Sequence, residues 1–282
     1  MEPLQLHAAA VTDVGRVRSH NEDAFLSRDP WFLVADGMGG HEAGEVASAA
    51  VVAAFEAAPR ERVTPAVVAQ TLARAQASVL ALATGRPRSA GTTVTGVVLL
   101  QTPDVPHWLI FNVGDSRVYR WLDGSLEQLT VDHSLVQELV DQGRMSRAEA
   151  RHSSHRNVIT RALGAGDHAP DYFVVPVITG ERLVLCSDGL TTEVEDDEIA
   201  RIAATEADAQ GCADSLLTAA LEGGGRDNVT VLVVDVVAGG SALEADEDTL
   251  ESRPAPDAGP RVVDVVATDE IDEDTSQPVG IP

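Results

Sequence analysis

The sequence predicts an α+β protein in which two β-sheets pack face to face with helices on their outer sides. Three observations predict it. Several short segments are almost continuously apolar, as strands covered on both faces are. Long helix-like segments lie between them. A length of 282 residues with 44% hydrophobic content is enough for one large core or two small ones. Chain order alone also permits a doubly wound sheet.

Residues 31–35, 93–100, 108–113, 182–186 and 229–237 are rich in Val, Ile and Leu and read as strands. Residues 42–57, 65–84, 135–142, 196–204 and 207–222 read as helices. The second of these opens on Pro65, whose missing N–H costs nothing at a first helical position, with Thr64 before it as a cap. No internal repeat is visible. Residues 1–238 form the expected domain. Residues 239–282 are rich in Asp, Glu and Pro and carry no aromatic residue, so the expectation there is an acidic disordered tail. Within it only residues 261–267 have strand character.

The formal net charge is −25, and every basic residue is Arg. A broad basic face for nucleic acid is excluded, because phosphate contacts need clustered cations. Anionic membrane surfaces are disfavoured for the same reason. Two cysteines, Cys186 and Cys212, are too few for a secreted disulfide framework, and no zinc spacing is present. The N-terminus lacks the basic-then-apolar pattern of a signal peptide, and no apolar run reaches a membrane span. The expected location is the cytoplasm.

Function is carried by where the acids sit. WFLVADGMGG ends an apolar strand on Asp36-Gly37, RLVLCSDGL ends another on Asp188-Gly189, LIFNVGDSR ends a third on Asp115, and RDNVTVLVVDV opens a fourth with Asp227. Any one of these reads as a turn. Four of them, with few cations nearby, point toward an oxygen-ligand site for a hard cation, since a carboxylate at a buried strand end is costly unless paired or ligated. Gly37 has the form of a position where a carbonyl turns toward an ion.

These segments resemble the bacterial branch of the type 2C (PPM family) metal-dependent serine/threonine protein phosphatases. The likeness covers residues 11–237. Its motifs, in family order, are RSHNED (18–23), VADGMGGHEAGEVAS (34–48), AGTT (90–93), NVGDSRVYR (112–120), LTVDHSLVQELVDQGRM (129–145), NVITRALG (157–164), CSDGL (186–190) and GGRDNVTVLVV (224–234). The resemblance implies a four-layer α-β-β-α sandwich with two central, mostly antiparallel sheets. It implies hydrolysis of phosphoserine and phosphothreonine on proteins by direct attack of a metal-bridging hydroxide on phosphorus.

Carried onto this chain, the resemblance makes Asp36 the bridge between two core manganese or magnesium ions. Asp188 and Asp227 complete one ion, and the Gly37 carbonyl binds the other. Glu22 and Asp23 act through bound waters, and Asp115 serves a third, weaker ion. Several bacterial relatives place a Ser near that third ion where this chain has Asn157. Arg18 takes the phosphate-binding role, its bland alternative being a structural pair with Glu22. Eukaryotic relatives carry a His where this chain has Met38. His41 is then the candidate general acid, with a water as an equal candidate. His133, His152 and His155 fall in a predicted mobile flap, residues 132–164, as exposed polar residues. The implied partners are phosphoprotein substrates of an opposing serine/threonine kinase, with the enzyme a monomer. Alternatives within the same chemistry are a regulatory phosphatase for a phosphorylated anti-sigma antagonist and a small-phosphoester hydrolase. A non-catalytic relative would have lost Asp36, Asp188 or Asp227.

Overall fold

The computed structural model describes residues 2–39, 42–83, 90–100 and 105–242. The first half of the chain forms β1 (Gln5–Asp13), β2 (Asp23–Arg28), β3 (Trp31–Met38), α1 (Glu42–Glu56), α2 (Pro65–Ala83), β4 (Gly91–Thr92), β5 (Val94–Leu100) and β6 (His107–Val113). After these come β7 (Arg117–Leu122), β8 (Ser125–Gln128), α3 (Leu135–Asp141), α4 (Arg147–His152) and β9 (Asp171–Pro176). The last stretch is β10 (Arg182–Cys186), α5 (Asp188–Thr191), α6 (Asp196–Thr205), α7 (Ala209–Gly223) and β11 (Val229–Ala238).

One sheet has the order β1-β11-β10-β7-β8, the other β2-β3-β5-β6-β9, with β4 beside the end of β3. All strand pairs in both sheets are antiparallel, so the doubly wound alternative is set aside. Alternation along the strands sorts side chains into layers. Phe32 and Val34 face Leu183, Leu185, Leu232 and Val234 of the other sheet. Leu33 and Ala35 turn the other way, toward Val51, Phe55, Val68 and Leu72 of α1 and α2. Val184, Val231 and Val233 likewise back onto Ile199, Leu216 and Ala220 of α6 and α7. Strands with no wet face therefore read as nearly continuous apolar runs, and the α-β-β-α sandwich is the reason.

Several expected boundaries move. The strand expected to stop at residue 35 continues through Asp36 and Gly37 to Met38, because β4 offers a second partner: Gly37 pairs with Thr92 and Met38 with Gly91. The strand expected at 93–100 is interrupted at Thr93, whose N–H donates to the Asp36 carbonyl (2.8 Å) and whose hydroxyl accepts the Asp36 N–H (3.0 Å). The last helix starts at Ala209 because Asp208 caps it, Oδ1 accepting the Gly211 N–H at 2.8 Å.

The chain stays attached slightly past the expected domain end. Ser241 donates its N–H to Val177 O (2.8 Å) and accepts from Thr179 N (3.0 Å). The 261–267 segment and most of the expected tail lie outside the described residues.

Candidate active site

Two crossings between the sheets lie at one end of the sandwich, and the candidate residues collect there; the β9–β10 crossing, residues 177–181, lies at the other end. Residues 14–22 connect β1 to β2 and carry Arg18 and Glu22, with Asp23 opening β2. Residues 114–116 connect β6 to β7, again between sheets, and carry Asp115. Register places the remaining acids at that same end. Asp23 is opposite Asp36, and Asp13 at the end of β1 is opposite Val229 at the start of β11, just after Asp227. Asp188 follows β10, whose Cys186 pairs with both Arg117 and Val231. It opens the short helix α5 rather than standing in a turn.

Burial and mutual repulsion act together on these acids. Burial, then the charges of Asp23, Asp188, Asp115 and Asp227, hold the Asp36 carboxyl well above the usual carboxylate range. Burial first, then Asp188 and Asp132, do the same to Asp115. Burial and the nearby Asp188 and Asp227 push Asp23 up to about 7, although the Ser187 hydroxyl donates to its Oδ2 at 2.7 Å. Burial and Asp227 push Asp188 up to about 6. Glu22 is raised as well, by burial against the pull of Arg18. Acids raised by burial and by one another's charge mark a site short of countercharge among the described residues.

The fit to hard cations rests on oxygen atoms left over. Glu22 Oε1, Asp23 Oδ1 and Asp115 Oδ1 are buried and find no hydrogen-bond partner among the described residues. Buried acceptors are normally satisfied, and an all-oxygen set of this kind suits manganese or magnesium. Among the described residues no three or more acids, His or Cys are drawn into a closed metal-holding group. Asp227 is paired with Arg18. The Arg18–Asp227 contact is 2.6 Å, so the partner of Arg18 is Asp227 and not the Glu22 that chain spacing suggested.

Gly37 has its own physical reason. A Cβ there would lie 2.3 Å from the Gly44 carbonyl oxygen and 2.5 Å from that of Glu22. Close approach of the start of α1 to the β1–β2 connection demands glycine. His41 lies outside the described residues.

Several neighbours were not legible in the sequence. Thr93 links Asp36 to the β6–β7 crossing, its hydroxyl 2.8 Å from that of Ser116. Ser187 joins Asp23 to Thr230, accepting the Thr230 N–H at 3.0 Å. Asn228 is 5% exposed and bonds to three residues of the β1–β2 connection. The only signals are small polar residues flanking the acids, which are common everywhere.

A cleft of roughly 1400 Å³ opens beside Asp115 and Asp188 and is lined from the opposite side by Val136, Arg156 and Asn157. That side is the expected flap. It is built as α3 and α4 on a base where Ser134 bridges Ile159 and Thr92 bridges Leu163. His152 and His155 are exposed, as expected. His133 is not: it is 5% exposed, with Nδ1 accepting the Gly114 N–H (3.1 Å) and Nε2 facing Asp171 Oδ2 (3.1 Å). A histidine that ties a strand crossing to β9 belongs inside.

Two antiparallel sheets, helices on both outer faces and an acidic cluster at one end define a PPM-type phosphatase sandwich. The chain belongs to the protein phosphatase 2C family, whose family model matches residues 15–221, and it is a protein-serine/threonine phosphatase. It is 39% identical over 246 residues to the Listeria monocytogenes serine/threonine phosphatase stp, covering 82% of this chain and 96% of that protein. It is 38% identical over 239 residues to Mycobacterium tuberculosis PstP, covering 83% of this chain and 46% of that protein. The crystal structure of M. tuberculosis PstP matches with a TM-score of 0.78 at 35% identity, covering 84% of this chain and all of that one. A PstP catalytic-domain structure in complex with two manganese ions matches with a TM-score of 0.76 at 36% identity, with the same coverage.

Proposed function

We propose that this protein hydrolyses phosphoserine and phosphothreonine in protein substrates at the Asp36 end of the sandwich, with two divalent ions held by its carboxylates. The observation that carries the reading is the meeting of Asp23, Asp36, Asp115, Asp188 and Asp227, drawn from separate segments, with carboxylate oxygens left unsatisfied. Asp36 would serve both ions, Asp188 and Asp227 one, and the Gly37 carbonyl the other. Glu22 and Asp23 would order water around them, and Asp115 would serve a third ion with Asn157 nearby. When bound, such ions lower the pKa of water and screen the phosphoryl oxygens. Manganese is the first choice on the strength of the PstP structure with two manganese ions.

The chain's own residues then bind and orient. Arg18, half-exposed beside Asp227, offers a planar fork to two phosphoryl oxygens. Water is the attacking group and no phosphoenzyme forms. Cys186 is fully buried in a strand and its thiol is pushed up to about 12 by that burial, which disqualifies it as a nucleophile. His41 is the proposed proton donor to the leaving alkoxide. The substrates are phosphoproteins made by an opposing serine/threonine kinase, and the enzyme acts as a cytoplasmic monomer. No helix among the described residues is long and apolar enough to cross a membrane. The acidic segment beyond Ala242 is proposed to be dispensable for turnover, on its composition.

The test is release of phosphate by the full chain from a phosphothreonine peptide and from a free small phosphoester. Activity with manganese, loss with EDTA and preference for the peptide are expected. Turnover of the small phosphoester alone would replace the protein-phosphatase reading with a small-molecule one.

A further inference from the structure

Residues 16–20 of the β1–β2 connection are all exposed, and Val17 is 70% exposed. Arg18 sits in the middle of them. A side chain that must meet a phosphoryl group to within a fraction of an ångström cannot depend on a free loop. The shoulders of the loop are therefore the place to look for what fixes it.

We propose that Asn228 is the positioning residue that holds the Arg18 loop to the start of β11. Its side chain reaches across to three backbone groups of the loop. Nδ2 donates to the carbonyls of Val14 and His20, each at 2.9 Å, and Oδ1 accepts the N–H of Glu22 at 2.8 Å. Val14 is where the chain leaves β1 and Glu22 is where it enters β2, so one amide closes the loop at both ends. The backbone N–H of Asn228 donates to Asp227 Oδ1 at 2.8 Å, while Asp227 Oδ2 faces Arg18. One residue thus orients both the arginine and the carboxylate beside it.

The chemistry demands asparagine. Two carbonyls need two donors and one N–H needs an acceptor, which is the inventory of a single carboxamide. Aspartate would present an oxygen to the Val14 or His20 carbonyl, alanine would remove the partner of three backbone groups, and glutamine would overshoot by a methylene. The loop has other anchors, Gly15 N–H to Asp13 Oδ1 at 2.8 Å and Arg16 N–H to Gly225 O at 2.7 Å on the β1 side, and Asn21 Nδ2 to Thr12 Oγ1 at 2.8 Å and Ser48 Oγ to the Glu22 carbonyl at 2.6 Å on the β2 side, but none of these comes from the residue beside Asp227.

The role rests on the proposed phosphate contact of Arg18, and a double-mutant cycle separates the two. Full-length wild type, Arg18→Ala, Asn228→Ala and the double variant are assayed on a phosphothreonine peptide at saturating manganese, alongside hydrogen exchange of residues 14–22. Asn228→Ala is expected to raise KM about 5- to 20-fold in the wild-type background and less than about twofold where Arg18 is already absent. Amides of residues 14–22 should exchange faster while β11 stays protected. Equal KM factors in both backgrounds, or unchanged exchange of the loop, would overturn the inference. An inactive wild type would sink the phosphatase reading, and the exchange measurement would still decide the role of Asn228. Asn228→Ser replaces Asn228→Ala in the cycle if the alanine variant does not fold.

Discussion

The Arg18 guanidinium rests on Asp227, Nη2 to Oδ2 at 2.6 Å, across 209 residues of sequence. Half of the Arg18 side chain is in solvent, so the pair itself adds little to stability, about 0–1 kcal/mol. Its value lies in placing a cation beside the acids. Arg18→Ala should raise KM for phosphothreonine peptide about 10- to 100-fold, the range of a lost charge-assisted contact, with a smaller fall in kcat. Arg18→Lys should recover part of the loss, keeping charge without the fork. Separate titrations of substrate and manganese check this, and an unchanged KM would leave Arg18 as a structural partner of Asp227 only.

Asp36 lies inside β3, opposite Asp23, and feels the charge of four other acids. Asp115 stands on the β6–β7 crossing at the side of the cleft. Asp36→Asn should reduce turnover to background at any manganese concentration. Asp115→Asn should cost about 10- to 100-fold, recoverable in part by added manganese, as for residues that support a site from its edge. Calorimetric manganese titration of both proteins supplies the readout independent of turnover. Equal retention of activity would reverse the assignment.

Much of the fold was legible because its central strands have no wet face. The runs at 31–35, 183–186 and 231–234 are apolar without a break, since one sheet covers one side and helices the other. What escaped has physical reasons as well. The α4 helix, Arg147–His152, buries none of its residues, so no apolar stripe marks it; its one signal is the capping box of Ser146 and Glu149. Strand β1 has Leu6 and Val11 as its large apolar residues, with Ala8, Ala9 and Ala10 between them, and its edge position relaxes the pattern. The acids of the site stood out because a carboxylate at the end of a buried strand is anomalous in itself. Asn228, Thr93 and Ser187 did not, because a small polar side chain gains meaning only from groups far away in sequence.

Gly37→Ala should fail for a steric reason. The new Cβ would meet two backbone oxygens at 2.3 and 2.5 Å, and neither the start of α1 nor residue 22 can yield as a flexible side chain would. A cost of about 2 kcal/mol corresponds to a fall in Tm of roughly 4–8 °C for a domain this size. Activity should fall further than stability, because Glu22 moves. Gly166→Ala, where a Cβ meets nothing within 4 Å, is the control and should change Tm little. Identical melting curves for the two variants would remove the close-packing explanation.

Asp171 on β9 joins the flap base to the sheet. Burial tends to raise its carboxyl, but the hydrogen bond from His133 and the Arg161 guanidinium, 2.9 Å away, outweigh burial and hold it below the usual carboxylate range. A depressed folded-state pKa stabilises fully above the unfolded value, about 3.9 for Asp, and the benefit disappears as pH falls through the folded value. Asp171→Asn removes that contribution. Wild type should therefore melt above the variant from about pH 5 upward by a constant margin, and the margin should shrink below about pH 4. Asp167, the other acid near Arg161 at 3.9 Å, is present in both proteins and cancels in the difference. Melting curves of the pair between pH 3 and 7 supply the measurement. A margin that stays constant down to pH 3 would mean that Asp171 acts through shape and neutral hydrogen bonding alone, with no share from its charge.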